Sequence, residues 1–171
     1  MILMDNIFTS QYYRPAAESV GWDPLKEPDA LEDAQLLDCR VCPTVNRAAL
    51  LFEMRTASYY PTGNSALLVV RGLRSFQWSG SPQRQKLMAF SVISSRPSHV
   101  VDGGLRLDFQ FFPDGDLSFG GECMEFYLLE VHGISEAPPS YPGNDLDQVC
   151  RDLPSWNSEC TVLQSSSMSG K

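Results

Sequence analysis

The sequence predicts an α+β domain: one strongly twisted antiparallel sheet of six to seven strands with a short C-terminal helix packed on it. A partly closed β-barrel is the alternative closure of the same strands. Three observations lead there. Residues 64–78 (NSALLVVRGLRSFQW) open with five consecutive apolar residues and go on into an alternation that puts Arg74, Phe76 and Trp78 on one face. Short apolar runs rich in Val and Leu fit a strand covered on both sides, and the interior Gly72 argues against a helix and for a bend. Residues 105–111 alternate strictly, with Leu105, Leu107, Phe109 and Phe111 on one side and Arg106, Asp108 and Gln110 on the other. Finally, the predicted strands are joined mostly by short polar turns, with no helix long enough for a βαβ crossover, which favours an antiparallel meander.

Taken in order, residues 1–35 read as an irregular arm. Phe8, Tyr12, Tyr13 and Trp22 are scattered among polar residues, and Pro15 and Gly21 interrupt any long helix. Residues 24–35 hold a helical turn or two, with Pro28 in the first turn and Asp29, Glu32 and Asp33 near its positive end. The sheet domain spans residues 36–157. It begins with LLDCRVC (36–42), turns at 43–46, and continues with AALLFEMRTA (48–57), where Leu50, Phe52 and Met54 face one way and Leu51, Glu53 and Arg55 the other. That period of two predicts a half-buried strand. The long central strand follows, then a strand over 86–94, a loop over 96–104, and the 105–111 strand. Pro113-Asp114-Gly115-Asp116 forms a hairpin turn. Residues 117–119 return from it, Gly120-Gly121 break the pairing, and MEFYLLEV (124–131) is the last long strand. GISEAPPSYPG (133–143) is an extended surface linker. Residues 144–153 form the helix, capped by Asn144 or Asp145, striped by Leu146, Val149, Cys150 and Leu153, and stopped by Pro154. The polar residues 158–171 are expected to be a disordered tail.

Composition narrows the function classes. A chain of 171 residues with 43% hydrophobic and 11% aromatic side chains can build a core without metal or disulfide staples. The apolar start ends at Asp5, too early for a signal peptide, and no run approaches a bilayer span, so a cytoplasmic protein without membrane contact is expected. Five cysteines make a full disulfide framework improbable on parity. Cys39 and Cys42 have CxxC spacing, but on one strand they point to opposite faces, which suits buried thiols rather than a shared metal or redox pair. No metal or other cofactor is expected.

The formal charge of −8 is unevenly spread: residues 1–38 carry −6, residues 39–101 carry +7 and residues 102–171 carry −9. An acidic chain is a poor direct ligand for nucleic acid, which is held through Lys and Arg, and suits a partner with a basic surface. Glu122, Glu125, Asp145, Asp147 and Asp152 are the partner-binding candidates, since acidic groups there would steer a cationic partner. Arg71 and Arg74 interrupt an apolar run and, with His132 at the end of a strand, are candidates for a polar pocket under the C-terminal helix. No catalytic residue is selected. His99 and His132 lack a nucleophile motif, and the hairpin turn accounts for the Asp114-Gly115-Asp116 fragment without a calcium loop.

The succession ALLFEMRTA, GNSALLVVRGLRSFQWSG, L-x-L-x-F-x-F, PDGDLSF, MEFYLLEV, GISEAPPSY and DLPSW resembles a group of small bacterial sheet domains of a type common in actinobacteria. Similar domains are counted among the immunity proteins of polymorphic-toxin systems. The resemblance covers about residues 36–157 and implies a cytoplasmic, non-enzymatic binder that occludes a toxin; it carries over no functional residue. Two other classes stay open: a small-ligand-binding or enzymatic sheet domain with its pocket under the C-terminal helix, and a structural accessory subunit docking through Tyr12, Tyr13 and Trp22.

Overall fold

The computed structural model describes residues 1–11, 13–82 and 86–170. Among them nine strands form one sheet: β1 (Ile2–Leu3), β2 (Glu18–Ser19), β3 (Gln35–Cys42), β4 (Arg47–Glu53), β5 (Ser65–Ser79), β6 (Ser91–His99), β7 (Leu105–Phe112), β8 (Asp116–Val131) and β9 (Glu159–Ser169). Two short helices accompany them, α1 (Met4–Thr9) and α2 (Leu146–Cys150). The sheet is mostly antiparallel, as expected, but has nine strands rather than six to seven. It also departs from a pure meander, because β2 joins β9 in parallel.

The strand order is β1-β9-β8-β5-β4-β3-β6-β7, and β7 pairs again with β8. Six strands therefore pair in a circuit, whose weakest joint is the single β3–β6 pair Gln35↔Ser91. The long strand read from residues 64–78 is β5, paired with β4 on one side and β8 on the other. Its bend falls at the register shift between Leu73 and Ser75, beside Gly72, whose φ of +61° suits glycine.

Two apolar cores sit on opposite faces of the central strands. Leu50, Phe52, Leu68, Val70, Phe126 and Phe109 belong to the first, inside the circuit. Leu51, Leu67, Val69, Tyr127, Leu129 and Trp156 belong to the second. The whole run Ala66 to Val70 is at most 1% exposed, which explains its unbroken apolarity. Residues 48–53 of β4 are equally buried, so the half-buried reading of that strand is corrected: Leu51 fills the second core and Glu53 is fully buried.

The second core exists because the N-terminal segment covers it. Met4, Ile7 and Phe8, spaced i, i+3 and i+4 on α1, are all buried there. Residues 1–35 are thus more ordered than an irregular arm, although the helical turn expected in 24–35 is replaced by turns with positive φ at Asp29 and Asp33. The expected disordered tail is likewise corrected: Glu159–Ser169 is β9, paired with β8 from Val131↔Cys160 to Cys123↔Ser169. The strand placed over 86–94 begins only at Ser91 and runs through the presumed loop to His99.

Gly120 and Gly121 do not end a strand. β8 is continuous for 16 residues and changes neighbours there, pairing β7 up to Gly121 and β9 from Cys123. A Cβ at Gly121 would lie 2.5 Å from Val70 Cγ1, so only glycine lets β8 pass that corner. α2 is shorter than the helix read over 144–153. Asp145 caps it in a reciprocal box with Gln148, Val149 is buried, and Leu146 is 60% exposed rather than docked.

If β9 completes the sheet, ending the chain at Ser158 strips the outer edge of β8 and uncovers the second core. The truncated protein is expected to lose cooperative thermal unfolding and to aggregate, whereas removal of a disordered tail would leave the melting temperature unchanged.

Candidate functional site

The three residues proposed to share a polar pocket lie apart and serve other ends. Arg71 Nε donates to Glu125 Oε2 at 3.0 Å, the same oxygen accepts Tyr127 Oη–H at 2.9 Å, and Arg71 Nη1 donates to Ser10 O at 2.9 Å. Its cross-strand partner Arg47 reaches Phe8 O, Thr9 O and Ser10 O at 3.2, 2.9 and 3.0 Å. The last carbonyls of a helix lack intrahelical donors and carry partial negative charge, so this arginine pair fastens the end of α1 to the sheet. Burial, and then the adjacent Arg71 charge, lower the pKa of Arg47. Arg74 lies exposed, 2.9 Å from Asp102 and 3.8 Å from Glu122. His132 Nε2 lies 3.0 Å from Thr161 Oγ1 at the surface.

The candidate acids are largely engaged with the basic middle of the chain. Glu122 lies near Arg74, Glu125 pairs with Arg71, and Asp152 is 3.6 Å from Arg55. Asp145 is occupied as the α2 cap but remains exposed, and Asp147 is exposed beside it. Internal pairing thus accounts for three of the five, and outward negative charge from this set concentrates on the α2 turn.

Sequence reasoning missed the strongest polar cluster. Glu53 is fully buried, and its carboxylate holds Arg55 through Nε at 2.8 Å and Nη2 at 2.6 Å. Arg55 then donates to Ser135 O at 2.7 Å, Ala137 O at 3.0 Å and Asp152 O at 2.6 Å. Burial opposes the guanidinium's charge, but Glu53 and Asp152 more than offset it and hold Arg55 above its ordinary value. The Ser135 N–H, with Arg55 contributing less, keeps the Asp152 carboxyl below the usual carboxylate range despite burial. The cluster ties the 133–143 segment and the end of α2 to β4. The signal available in the sequence was only Glu53 and Arg55 two apart, which equally describes a solvated face.

Where α2 meets β3 there is a cleft of about 620 Å³. Leu37, Phe76, Trp78, Leu87, Leu153 and Trp156 give it an apolar lining, with Asp38 and Tyr141 as polar members. Trp156 is held by its Nε1–H to Asp38 Oδ2 at 2.6 Å and by the Arg40 guanidinium stacked 4.3 Å from its ring centre. Tyr141 donates to Gln35 Oε1 at 3.2 Å, and burial pushes its hydroxyl up to about 12. A pocket under the C-terminal helix is therefore present, but Arg71, Arg74 and His132 do not line it. A larger depression of about 860 Å³, near Gly63 and Glu130, is as polar as it is apolar. The cleft under α2 better matches ligand sites, which are concave and predominantly apolar with a few polar groups.

Comparison with known proteins returned nothing: no family model, no curated protein and no solved structure matches this chain. Function must be argued from the residues.

Cys39 packs on the first core and Cys42 on the second, the opposite-face arrangement expected for positions three apart on a strand. Burial, then Asp38, push the Cys39 thiol up to about 12, and burial pushes Cys160 up to about 11. In the N-terminal segment Tyr13 packs on Tyr127 at 5.8 Å, Trp22 stacks on Tyr59 at 5.5 Å and is 44% exposed, and Tyr12 lies outside the described residues.

Two outcomes follow. Arg55→Met leaves the Glu53 carboxylate buried without its guanidinium and is expected to cost about 3–5 kcal/mol of stability, read from denaturant unfolding. Alkylation of the native protein near neutral pH should modify exposed Cys150 before Cys39 and Cys160; peptide mapping of the labelled thiols checks the order.

Proposed function

We propose that this is a binding protein and that the cleft between α2 and β3 is its recognition site. The observation that carries the reading is the contrast between a closely filled double core and an apolar cleft whose rim stays open to solvent. Trp78 is 46%, Leu87 37% and Leu146 60% exposed around it, although burying such side chains is favourable by about 1.5–3 kcal/mol each. Contiguous exposed apolar surface of this kind marks an interaction site more often than scattered single residues do.

An immunity-type role, in which the protein occludes a basic partner, is one form of this reading. It draws support from the net charge of −8 and from the exposed Asp145 and Asp147, the sequence neighbours of Leu146, which lines the cleft. Glu122, Glu125 and Asp152 contribute less to such steering, because their arginine partners already compensate their charge. A small apolar ligand is the second reading, favoured by the cleft's volume of about 620 Å³.

A neutral naphthylamine dye tests the site itself. It should bind with saturable fluorescence enhancement and quench Trp78 and Trp156, and Leu87→Asp with Leu146→Asp should weaken it by at least about tenfold, since each change puts a charge on the apolar rim. Both residues are exposed, so the melting temperature should hold. Unaltered dye affinity in the double variant would remove the cleft as the site.

A further inference from the structure

β3 has one open side. It pairs with β4 from Gln35↔Glu53 to Cys42↔Arg47. On the other side Gln35 pairs with Ser91 and the Leu36 N–H donates to Phe90 O at 2.8 Å. Beyond that point residues 37–42 have no second strand neighbour among the described residues. The cleft follows the first part of this edge, residues 37–39, and its lining comes from both faces of the sheet: Cys39, Phe76 and Phe90 pack with the first core, Leu37, Leu51 and Trp156 with the second. An unpaired edge and an apolar trough thus run side by side, the two components of recognition by strand addition, in which main-chain hydrogen bonds hold a segment and alternate side chains fill pockets.

Charge indicates what kind of segment fits. Asp38 is exposed on the edge, and Asp145 and Asp147 are exposed on the α2 turn bordering the cleft. Arg40, the basic residue on the edge, is committed to Asp5 and to the Trp156 ring. The bulge between Leu36 and Asp38 and the charges that follow discourage indiscriminate pairing at this edge, so a segment added there has to complement those charges. A second copy of the chain would bring −8 against −8, an arrangement that self-repulsion opposes.

We infer that the outer edge of β3, residues 37–42, receives an extended, lysine- or arginine-bearing segment of a partner polypeptide as an added strand, with its apolar side chains in the cleft under α2. This deepens the binding reading above and rests on it. The basic side chains of the segment face Asp38, Asp145 and Asp147, while its backbone pairs along the edge that lacks a second strand, where the Cys39 N–H is held by Asp38 Oδ1 at 2.8 Å.

The test uses the full chain and a fluorophore-labelled heptapeptide alternating lysine with leucine and phenylalanine, followed by anisotropy. Its comparators are the glutamate-for-lysine peptide, two lysine peptides N-methylated on alternate sets of backbone nitrogens, and the neutral dye. The lysine peptide should bind saturably and compete with the dye. The glutamate peptide should bind at least about tenfold more weakly, as should one of the two methylated peptides, since a lost hydrogen bond costs about 1 kcal/mol and several are removed together. Asp145→Asn with Asp147→Asn should reduce lysine-peptide affinity but not dye affinity, asparagine preserving the α2 cap. Dye binding without peptide binding overturns the strand-addition inference and leaves the cleft standing. Equal affinity of both methylated peptides and their parent overturns it too, since the cleft would then be reading side chains alone. Concentration-dependent dimerisation of the protein, blocked by the peptide, would identify a second copy as the occupant and overturn the basic-segment assignment. Failure of both dye and peptide would remove the cleft reading itself.

Discussion

The burial of β4, β5 and β8 on both faces is the constraint to which the rest of the molecule answers. A sheet with one apolar face can leave the other in water, but Ala66 to Val70 have no polar side to expose. A second layer is therefore obligatory, and the chain supplies it from its ends: α1 brings Met4, Ile7 and Phe8, and the segment after α2 brings Trp156. Both are then fixed by polar contacts. Arg47 and Arg71 hold the carbonyls that end α1, and Asp38 holds the Trp156 indole. Arg71, which interrupts an apolar strand, is thus explained by where the helix ends.

The fold was legible in the sequence wherever side-chain periodicity alone decides structure. β5 and β7 could be read almost residue for residue, because an apolar run and a strict alternation have few other solutions. β9 was hidden for a physical reason. Its sequence, ECTVLQSSSMS, is mostly small and polar, and its place comes from backbone pairing to β8 rather than from an apolar face. The continuity of β8 was hidden as well, since glycine pairs read as breaks unless it is known that Val70 and Leu105 crowd that corner. α2 came out shorter because its apolar stripe is split: Val149 is buried while Leu146 projects into solvent.

The candidate site was legible in a different and weaker way. That a pocket would lie under the C-terminal helix followed from the expectation that the helix docks on the sheet, and a cleft is found there. Its residues were not foreseen, because they come from separated segments (β3, the end of β5, residues 86–90 and the α2 region) that only the closed pairing order brings together. Charge identity also misled. Arg71 and Arg74 are conspicuous in the sequence, yet they are spent on Glu125, Asp102 and Glu122, whereas Arg55, which organises the region behind the cleft, read as an ordinary exposed position.

On the binding reading proposed above, sorting the charges by their partners gives an acidic protein of this kind a route to selectivity. A uniform −8 would attract any cation from a distance and hold none in register. Here the basic middle of the chain compensates Glu122, Glu125 and Asp152, so long-range attraction is reduced over most of that surface. Asp38, Asp145 and Asp147 stay exposed where apolar side chains and an unpaired strand edge are also exposed. On the strand-addition inference, attraction, apolar burial and main-chain pairing would act on the same few residues of a partner. That convergence, rather than total charge, would then give the cleft its specificity, because a segment lacking any one of the three features would lose part of the interaction that the other two do not replace.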